Sequence, residues 1–141
     1  MKVSARNVFK GTITGVKKGA VNAEVILVLK GGTQIVAIIT NNSVDRLGLN
    51  SGKEAYAVIK ASWIIIGTDL HNAKTSARNL MCGSVVKVIE GPVNTEVDLD
   101  IGNGNTLTAV ITLESAKKLG LKKGEHACAI FKASSVIIGV E

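Results

Sequence analysis

Stretches of alternating apolar and polar residues run along most of the chain and predict β-strands. In the first half we expect five strands, at 8–16, 21–29, 33–40, 54–60 and 62–67. A period of two residues places successive side chains on opposite faces of a strand, as in a half-buried sheet. Between the third and fourth stretches we expect a short helix at about 43–48, with Asn42 or Ser43 as its N-cap and Gly48 at its end.

The same series of elements occurs twice. Aligning residues 4–69 with 76–141, without a gap, makes 29 of the 66 positions identical. Repetition at this density decides the domain organisation, and we expect domains at 1–69 and 76–141, joined by a connector at 70–75. A domain of fewer than about 70 residues has a marginal core. We therefore expect each one to be stabilised by its twin or by other subunits.

Five short strands with a helix between the third and the fourth are typical of an OB-like barrel. The predicted fold class is therefore mainly all-β, with two OB-like five-stranded β-barrel domains that each contain one short helix. Gly11, repeated as Gly83, lies within the first strand. An isolated glycine in that position indicates a bulge or a sharp bend.

The second strand differs between the two copies. In the second copy Asp98 and Asp100 alternate with apolar residues, so we expect them to face water. Ile26 and Val28 occupy the same positions in the first copy and make that strand apolar on both faces. Because a strand that is buried on both sides lacks alternation, we predict that Ile26 and Val28 lie in an interface.

Composition and charge narrow the classes of partner. Hydrophobic residues make up 46% of the chain and aromatic residues 3%, so the core must be built from aliphatic side chains. The net charge is +6, and a basic balance favours an anionic partner. The lysines and arginines are dispersed, without the run of five or six like charges that is typical of a basic tail. This pattern fits a small anion best.

The cysteines and the N-terminal residues bear on the compartment. Cys82 and Cys128 are too few for a secreted disulfide scaffold of this size, so we expect both to be small core residues in a reducing cytosol. The first residues turn polar at once, without the apolar stretch of a signal peptide. No apolar run approaches the ~20 residues of a membrane helix. We expect a cytoplasmic protein with no membrane partner.

Three polar motifs are identical in both copies. Ser-Ala-Arg-Asn begins at residues 4 and 76, Lys-Ala-Ser begins at residues 60 and 132, and Thr40 recurs as Thr112. Together they supply a guanidinium fork, an ammonium charge and hydroxyl donors, which suit a tetrahedral dianion. Solvated basic residues with serines in turns are the alternative explanation. That alternative gives little reason to retain the arginine and the lysine in both copies.

These motifs, together with GAVNAEV at 19–25 and LGL-x-x-G at 47–52, resemble the Mop domain of the molbindins. The molbindins are small cytoplasmic proteins that bind molybdate and tungstate, and two copies in one chain resemble the di-Mop form. The resemblance covers nearly the whole chain. It implies an OB-like barrel and a binding protein for storage or homeostasis, not an enzyme. It also implies molybdate or tungstate as the ligand, no catalytic cofactor, and a homotrimer of six Mop units.

The resemblance further implies pockets between domains of neighbouring subunits, where the intact anion is held without a bond from a side chain to the metal. In the first set, Ser4, Ala5 and Arg6 would face Thr40, Lys60, Ala61 and Ser62 of another domain. The second set would comprise Ser76, Ala77, Arg78, Thr112, Lys132, Ala133 and Ser134.

A second anion site is conceivable at the Gly-x-Val-Asn turns, whose successive N–H groups can form an anion nest. Its residues would be Ala20, Val21, Asn22, Val93 and Asn94. Pro92 replaces Ala20 in the second copy and lacks an N–H, so the two copies need not bind equally. A turn with a locally bonded asparagine is an equally good explanation.

Other signals are weak. Residues 48–54 resemble a phosphate-binding P-loop, but their glycines are one residue too close and Glu54 replaces the hydroxyl residue. His71 and His126 are isolated and lack metal-ligand spacing, so we expect both to be solvated.

Two alternatives to an anion store stay open. One is a molybdate-sensing module that acts on a partner protein, and the other is an OB-fold nucleic-acid binder. Single-strand binders stack bases on aromatic side chains, and those are scarce here, so we expect no nucleic acid.

Overall fold

The computed structural model describes residues 1–70 and 72–141, and strands dominate it. The first repeat contains β1 (Asn7–Lys18), β2 (Asn22–Leu29), β3 (Gln34–Thr40), α1 (Asn41–Leu47), β4 (Glu54–Ile59) and β5 (Ile65–Gly67). The second contains β6 (Asn79–Glu90), β7 (Asn94–Gly102), β8 (Asn105–Thr112), α2 (Leu113–Leu119), β9 (His126–Phe131) and β10 (Ile137–Gly139). Single 3-10 turns at Ala61–Trp63 and Ala133–Ser135 precede β5 and β10.

The strands form two antiparallel five-stranded sheets, with the orders β10-β4-β1-β2-β3 and β5-β9-β6-β7-β8. Within each sheet the two outermost strands approach each other, β10 to β3 and β5 to β8. Each sheet therefore curls into a barrel, and the predicted class of two OB-like barrels, each with one short helix, is confirmed. Among the described residues, no helix has the length and apolar character that crossing a membrane requires.

The compact units do not follow the domain boundaries expected from the repeat. One unit comprises Met1–Ile59 with Lys132–Glu141, and the other comprises Lys60–Phe131. Each repeat therefore contributes its fifth strand to the other repeat's sheet, since β10 pairs with β4 and β5 pairs with β9. The two strands have the same sequence, Ile-Ile-Gly. Either one fits either sheet edge, so the repeat alone cannot specify the pairing.

Alternation along the strands builds the core of each barrel. Val25 and Leu27 on β2 are fully buried, and Val97 and Leu99 hold the same places on β7. On the outer face, Asp98 is partly exposed and accepts a 2.8 Å hydrogen bond from a threonine hydroxyl of β8. The expectation that this face of β7 stays solvated is met. Ile26 and Val28 are half-buried, and their place in an interface stays a prediction.

Gly83 is required by close packing of the chain. Of the bulge or sharp bend expected at this glycine, the bulge is not found there, because the irregularity in register lies elsewhere in the strand. A Cβ at Gly83 would lie 1.9 Å from the Asp100 carbonyl oxygen, and one at Gly11 would lie 2.6 Å from the corresponding oxygen of Val28. The shifts in register occur later, between Ile13 and Gly15 in β1 and at the matching place in β6. The glycines let β1 and β6 pass close to the strand beside them.

The two cysteines form a disulfide, so the expectation of two free core thiols is wrong. Cys82 on β6 and Cys128 on β9 are directly opposite each other in the sheet. Cys128 is buried and Cys82 is half-buried. The residues are 46 positions apart in sequence, and strand pairing brings them together. In the first unit the same pair of positions holds Lys10 and Tyr56.

The Lys10 and Tyr56 positions are surrounded by polar contacts. Lys10 pairs with Glu54 at 3.0 Å, and the Tyr56 hydroxyl donates to Glu141 at 3.0 Å. The hydrogen bond and charge of Glu54 raise the pKa of Lys10. The N-terminal ammonium of Met1 and the Tyr56 hydroxyl lower the pKa of the Glu141 carboxyl. The two units thus have different chemistry at one shared strand position.

We expect Gly83→Ala to destabilise the protein by about 1–3 kcal/mol or more, because its new methyl group meets backbone that cannot rotate away. Gly15→Ala is the matched control, since its Cβ would lie 3.9 Å from the flexible end of Ile26. Urea unfolding of both variants measures the difference. Equal stability of the two variants would contradict the close approach at Gly83.

Candidate functional site

The two Lys-Ala-Ser motifs occupy the 3-10 turns that connect each barrel's fourth strand to its fifth. The Trp63 amide donates to the Lys60 carbonyl at 3.0 Å, and the Ser135 amide donates to the Lys132 carbonyl at 2.9 Å. This turn separates the two strands that had been expected at 54–60 and 62–67. Ala61 and Ala133 are buried, whereas both motif lysines and both motif serines are exposed. The motif therefore presents its polar side chains at the surface.

Thr112 and Thr40 are the N-caps of α2 and α1, a role expected of Asn42 or Ser43. The Thr112 Oγ1 accepts a 3.1 Å hydrogen bond from the Ser115 amide and donates a 2.8 Å hydrogen bond to the Ser115 hydroxyl. Thr40 makes the same pair of contacts with Ser43. Capping of this kind explains why a threonine recurs here. It also leaves the Ser115 hydroxyl with its own hydrogen to donate.

The exchange of the fifth strands regroups the predicted site residues. The turn Ala61–Trp63 packs against β8, and the turn Ala133–Ser135 packs against β3. Ser62 therefore accompanies Thr112, and Ser134 accompanies Thr40. The sequence had suggested the opposite grouping, because residues from one repeat were assigned to one set.

A cavity of about 570 Å³ in the second unit brings several of these residues together. Its polar lining consists of Ser62, Asn94, Thr112, Ser115 and Lys118, and its apolar lining consists of Ile64, Ile65, Ile66, Val110, Ile111 and Leu119. No carboxylate is among these lining residues. Hydroxyl, amide and ammonium donors in an acid-free cavity suit an oxyanion.

Ser115 and Lys118 were missed in the sequence. They are three residues apart on α2, so both lie on the same face of the helix. The repeat does carry a signal for them, because Ser43 matches Ser115 and Arg46 matches Lys118. From the sequence alone Ser43 is a candidate N-cap, and a basic residue on a short helix resembles an ordinary solvated side chain.

The Ser-Ala-Arg segments do not line this cavity. Ser4 and Arg6 are exposed, as are Ser76 and Arg78. The asparagine that ends each motif has a structural role. Asn7 is 1% exposed and its Nδ2 donates to the Ile59 carbonyl at 3.2 Å, which ties the start of β1 to the end of β4.

The two motif lysines have different surroundings. The ammonium of Lys60 lies 5.9 Å from the centroid of the Trp63 ring, within the range of a cation–π interaction. The second copy has Ser135 in place of that tryptophan. The ring therefore positions Lys60 in a way that Lys132 does not share.

The Gly-x-Val-Asn turns are closed hairpins. The Gly19 amide donates to the Asn22 carbonyl at 2.7 Å, and the Gly91 amide donates to Asn94 at 2.8 Å. Val21 and Val93 at their tips are each 70% exposed. Ala20 is exposed beside Val21. The asparagines accept these bonds through their backbone carbonyls, so the bonds close the turns without explaining why asparagine recurs.

In the second unit, Val93 and Pro92 line a cavity of about 530 Å³ together with Thr112, Leu113, Glu114 and Lys117. The Glu114 carboxylate works against an anion there, and Pro92 removes one N–H donor. Asn94 lies instead in the larger cavity beside Ser62. These features weaken the second anion site in this unit.

The weaker signals have structural explanations. The Lys53 ammonium in the P-loop-like segment donates to the Leu47 carbonyl at 2.8 Å, at the end of α1, and Gly48 takes the left-handed conformation there, as is typical of helix ends. His126 is exposed on β9, and His71 lies outside the described residues. Within residues 1–70 and 72–141, no three His, Cys, Asp or Glu side chains group together to hold a metal ion.

The TOBE domain model matches twice, at residues 3–66 and 75–138. A molybdenum transport protein, ModE of Azotobacter vinelandii, is 45% identical over 140 residues, which cover 99% of this chain and 52% of the relative. The molybdenum-pterin-binding protein MopA of Rhodobacter capsulatus is 46% identical, with 99% and 53% covered. The chain thus spans about half the length of these curated relatives.

A solved structure has the same fold throughout. It is the cytoplasmic molybdate-binding protein ModG, crystallised with molybdate bound, and it is 48% identical to this chain. The TM-score is 0.96, and the match covers 100% of both chains. At this identity and coverage the likeness extends over both repeats.

Proposed function

The chain belongs to the TOBE domain family as a tandem pair of its domains, as the resemblance to di-Mop proteins predicts, and from that premise we propose that it binds molybdate. The cavity lined by Ser62, Thr112, Ser115 and Lys118 carries this proposal. Its donors would hold an intact tetrahedral anion by hydrogen bonds and charge, without a bond from a side chain to the metal. Tungstate has the same shape and charge and would bind as well.

The size of the cavity supports a site that is shared between subunits. A tetrahedral oxyanion fills only part of about 570 Å³. The Ser-Ala-Arg segments, which do not line this cavity, are exposed and can enter such a cavity in a neighbouring chain. In this arrangement Ser4, Ala5 and Arg6 or their counterparts Ser76, Ala77 and Arg78 would complete the site. A homotrimer would place six domains around such sites.

The first unit would offer an equivalent site built from Thr40, Ser43, Arg46 and Ser134. Lys60 and Lys132, with Ala61 and Ala133 behind them in the same turns, would add positive charge at the rims. The sites in the two units would differ in affinity, because Arg46 replaces Lys118 and Ser135 replaces Trp63. The turn Ala20–Asn22 in the first unit would be the better place for a second anion site, because Ala20 stands there in place of Pro92 and Asn42 in place of Glu114.

Storage or buffering of molybdate in the cytoplasm is the role we propose. The relatives' names describe binding, transport and regulation, which supports a binding protein and not an enzyme. A sensing role is the second candidate, because a relative named transcriptional regulator ModE, from Yersinia pestis, is 36% identical to this chain. This chain matches 52% of that regulator's length, so a sensing role would need further protein.

Calorimetric titration of the full chain should give tight binding of molybdate and tungstate and weak binding of sulfate. All three are tetrahedral dianions, so selectivity must come from how well the larger ions fill the site. Sulfate at equal ionic strength is the control. Equal affinities for the three anions would contradict selectivity, and no heat from molybdate would contradict the function.

Thr112 allows charge to be tested apart from folding. Asn and Asp both cap helices well, so Thr112→Asn and Thr112→Asp should unfold at similar urea concentrations. The added carboxylate of Thr112→Asp should weaken molybdate binding in the second unit by about tenfold or more. Thr112→Asn should change it only a few-fold. An equal loss in both variants would contradict an electrostatic role for this cavity.

Native mass spectrometry should detect an assembly of three 14.7 kDa chains that gains mass when molybdate is added. The reason is that the exposed Ser-Ala-Arg segments complete the sites only in a neighbouring chain. A monomer that binds molybdate with undiminished affinity would contradict sites shared between subunits.

A further inference from the structure

The disulfide is confined to the second unit and lies beside the strand that this unit receives from the first repeat. Cys82 and Cys128 join β6 to β9. Gly67 of β5 pairs with Cys128 on the other side of β9. The bond therefore links the central strand of this sheet to the strand that holds β5. The first unit has Lys10 and Tyr56 at these positions and has no thiols.

The segment closed by this bond contains nearly all of the polar lining of the 570 Å³ cavity. Asn94, Thr112, Ser115 and Lys118 all lie between the two cysteines in sequence. Ser62 is the exception and enters from the turn before β5. The disulfide thus covalently closes the loop that contributes the donors, and it also tethers the strand against which β5 is paired.

We propose that the Cys82–Cys128 disulfide is a redox-sensitive element that regulates anion binding in the second unit, an inference that rests on the function proposed above. In a reducing cytoplasm, disulfides are uncommon, and those that do form are mostly transient or redox-sensing. The first unit has the same fold with Lys10 and Tyr56 at these positions, so the fold does not require the bond. The bond is therefore suited to control one of two otherwise similar sites.

The chemistry is thiol–disulfide exchange with a dithiol reductant. A thiolate of the reductant attacks the half-buried Cys82 sulfur, and the Cys128 thiolate departs. The second thiol of the reductant then attacks the mixed disulfide and releases Cys82. Two electrons pass to the protein, which gains two thiols after protonation, and the dithiol becomes a cyclic disulfide. Oxidation by a diazene oxidant such as diamide reverses the step, with the oxidant taking up two electrons and two protons.

Opening the bond should loosen the second unit only. A disulfide that closes a loop of this length restricts the unfolded chain strongly, and its loss increases local opening of the elements it held. Donors on β8 and α2 would then spend less time in the geometry that binds the anion. The first unit would bind as before, since the bond does not lie in its sheet.

The test uses the full chain, oxidised with diamide or reduced with dithiothreitol and then freed of reagent under anaerobic conditions. Thiol titration in denaturant should count zero thiols in the first sample and two in the second. Reduction should lower the Tm of the second unit on the order of 10 °C. It should also weaken one class of molybdate sites several-fold in calorimetry and leave the other class unchanged.

Two variants serve as controls. Cys82→Ser/Cys128→Ser should behave like the reduced protein under both treatments. Thr112→Asp, which weakens binding in the second unit by about tenfold or more, should lower the affinity of the redox-sensitive class of sites and leave the other class unchanged. Equal binding in the oxidised and reduced proteins, or two thiols that persist after diamide, would overturn the regulation and leave the proposed function intact. No molybdate binding in either state would overturn the proposed function as well.

Discussion

The pairing of each fifth strand with the opposite repeat's sheet is the constraint on which the rest of the structure depends. β10 completes the sheet that holds β4, and β5 completes the sheet that holds β9. Each strand is only three residues long, but the turn before it carries the Lys-Ala-Ser motif. Moving the strand moves the motif, so the same exchange that closes each barrel also decides which polar residues meet.

Duplication followed by divergence has produced two barrels with one core and different surfaces. The buried residues of β2 and β7 are nearly interchangeable, whereas their outer positions hold Ile26 and Val28 in one unit and Asp98 and Asp100 in the other. The Lys60 ammonium of the first copy lies 5.9 Å from the centroid of the Trp63 ring, whereas the second copy has a serine in place of that tryptophan. Cores tolerate aliphatic exchange at constant volume, and the outer positions of β2 and β7 have exchanged apolar for charged side chains while the exposed motifs stay identical.

Several residues that the sequence motifs assign to a binding site, or place beside it, also stabilise the fold. Thr112 caps α2, and Asn7 ties two strands together. Because the Thr112 hydroxyl is used in capping, the Ser115 hydroxyl is the group that can donate a hydrogen bond to a ligand. A residue that is identical in both copies can therefore have a structural role, a binding role or both, and its hydrogen bonds show which.

The sequence by itself determined the order of strands and helices, the helix end at Gly48 and the OB-like class, because these follow from local periodicity and backbone preference. From charge and hydroxyl donors it also predicted an oxyanion-binding set. It did not determine how the set is grouped, because Ile65–Gly67 and Ile137–Gly139 are identical and fit either sheet.

Only the tertiary structure shows that Lys118 lines the cavity and that Cys82 is bonded to Cys128. Both depend on contacts between residues far apart in the chain, and such contacts leave no periodic trace in the sequence. Pairing across a sheet brings residues 46 positions apart into covalent contact. The local sequence therefore shows which functional groups the chain carries, and the tertiary structure decides which of those groups lie close together.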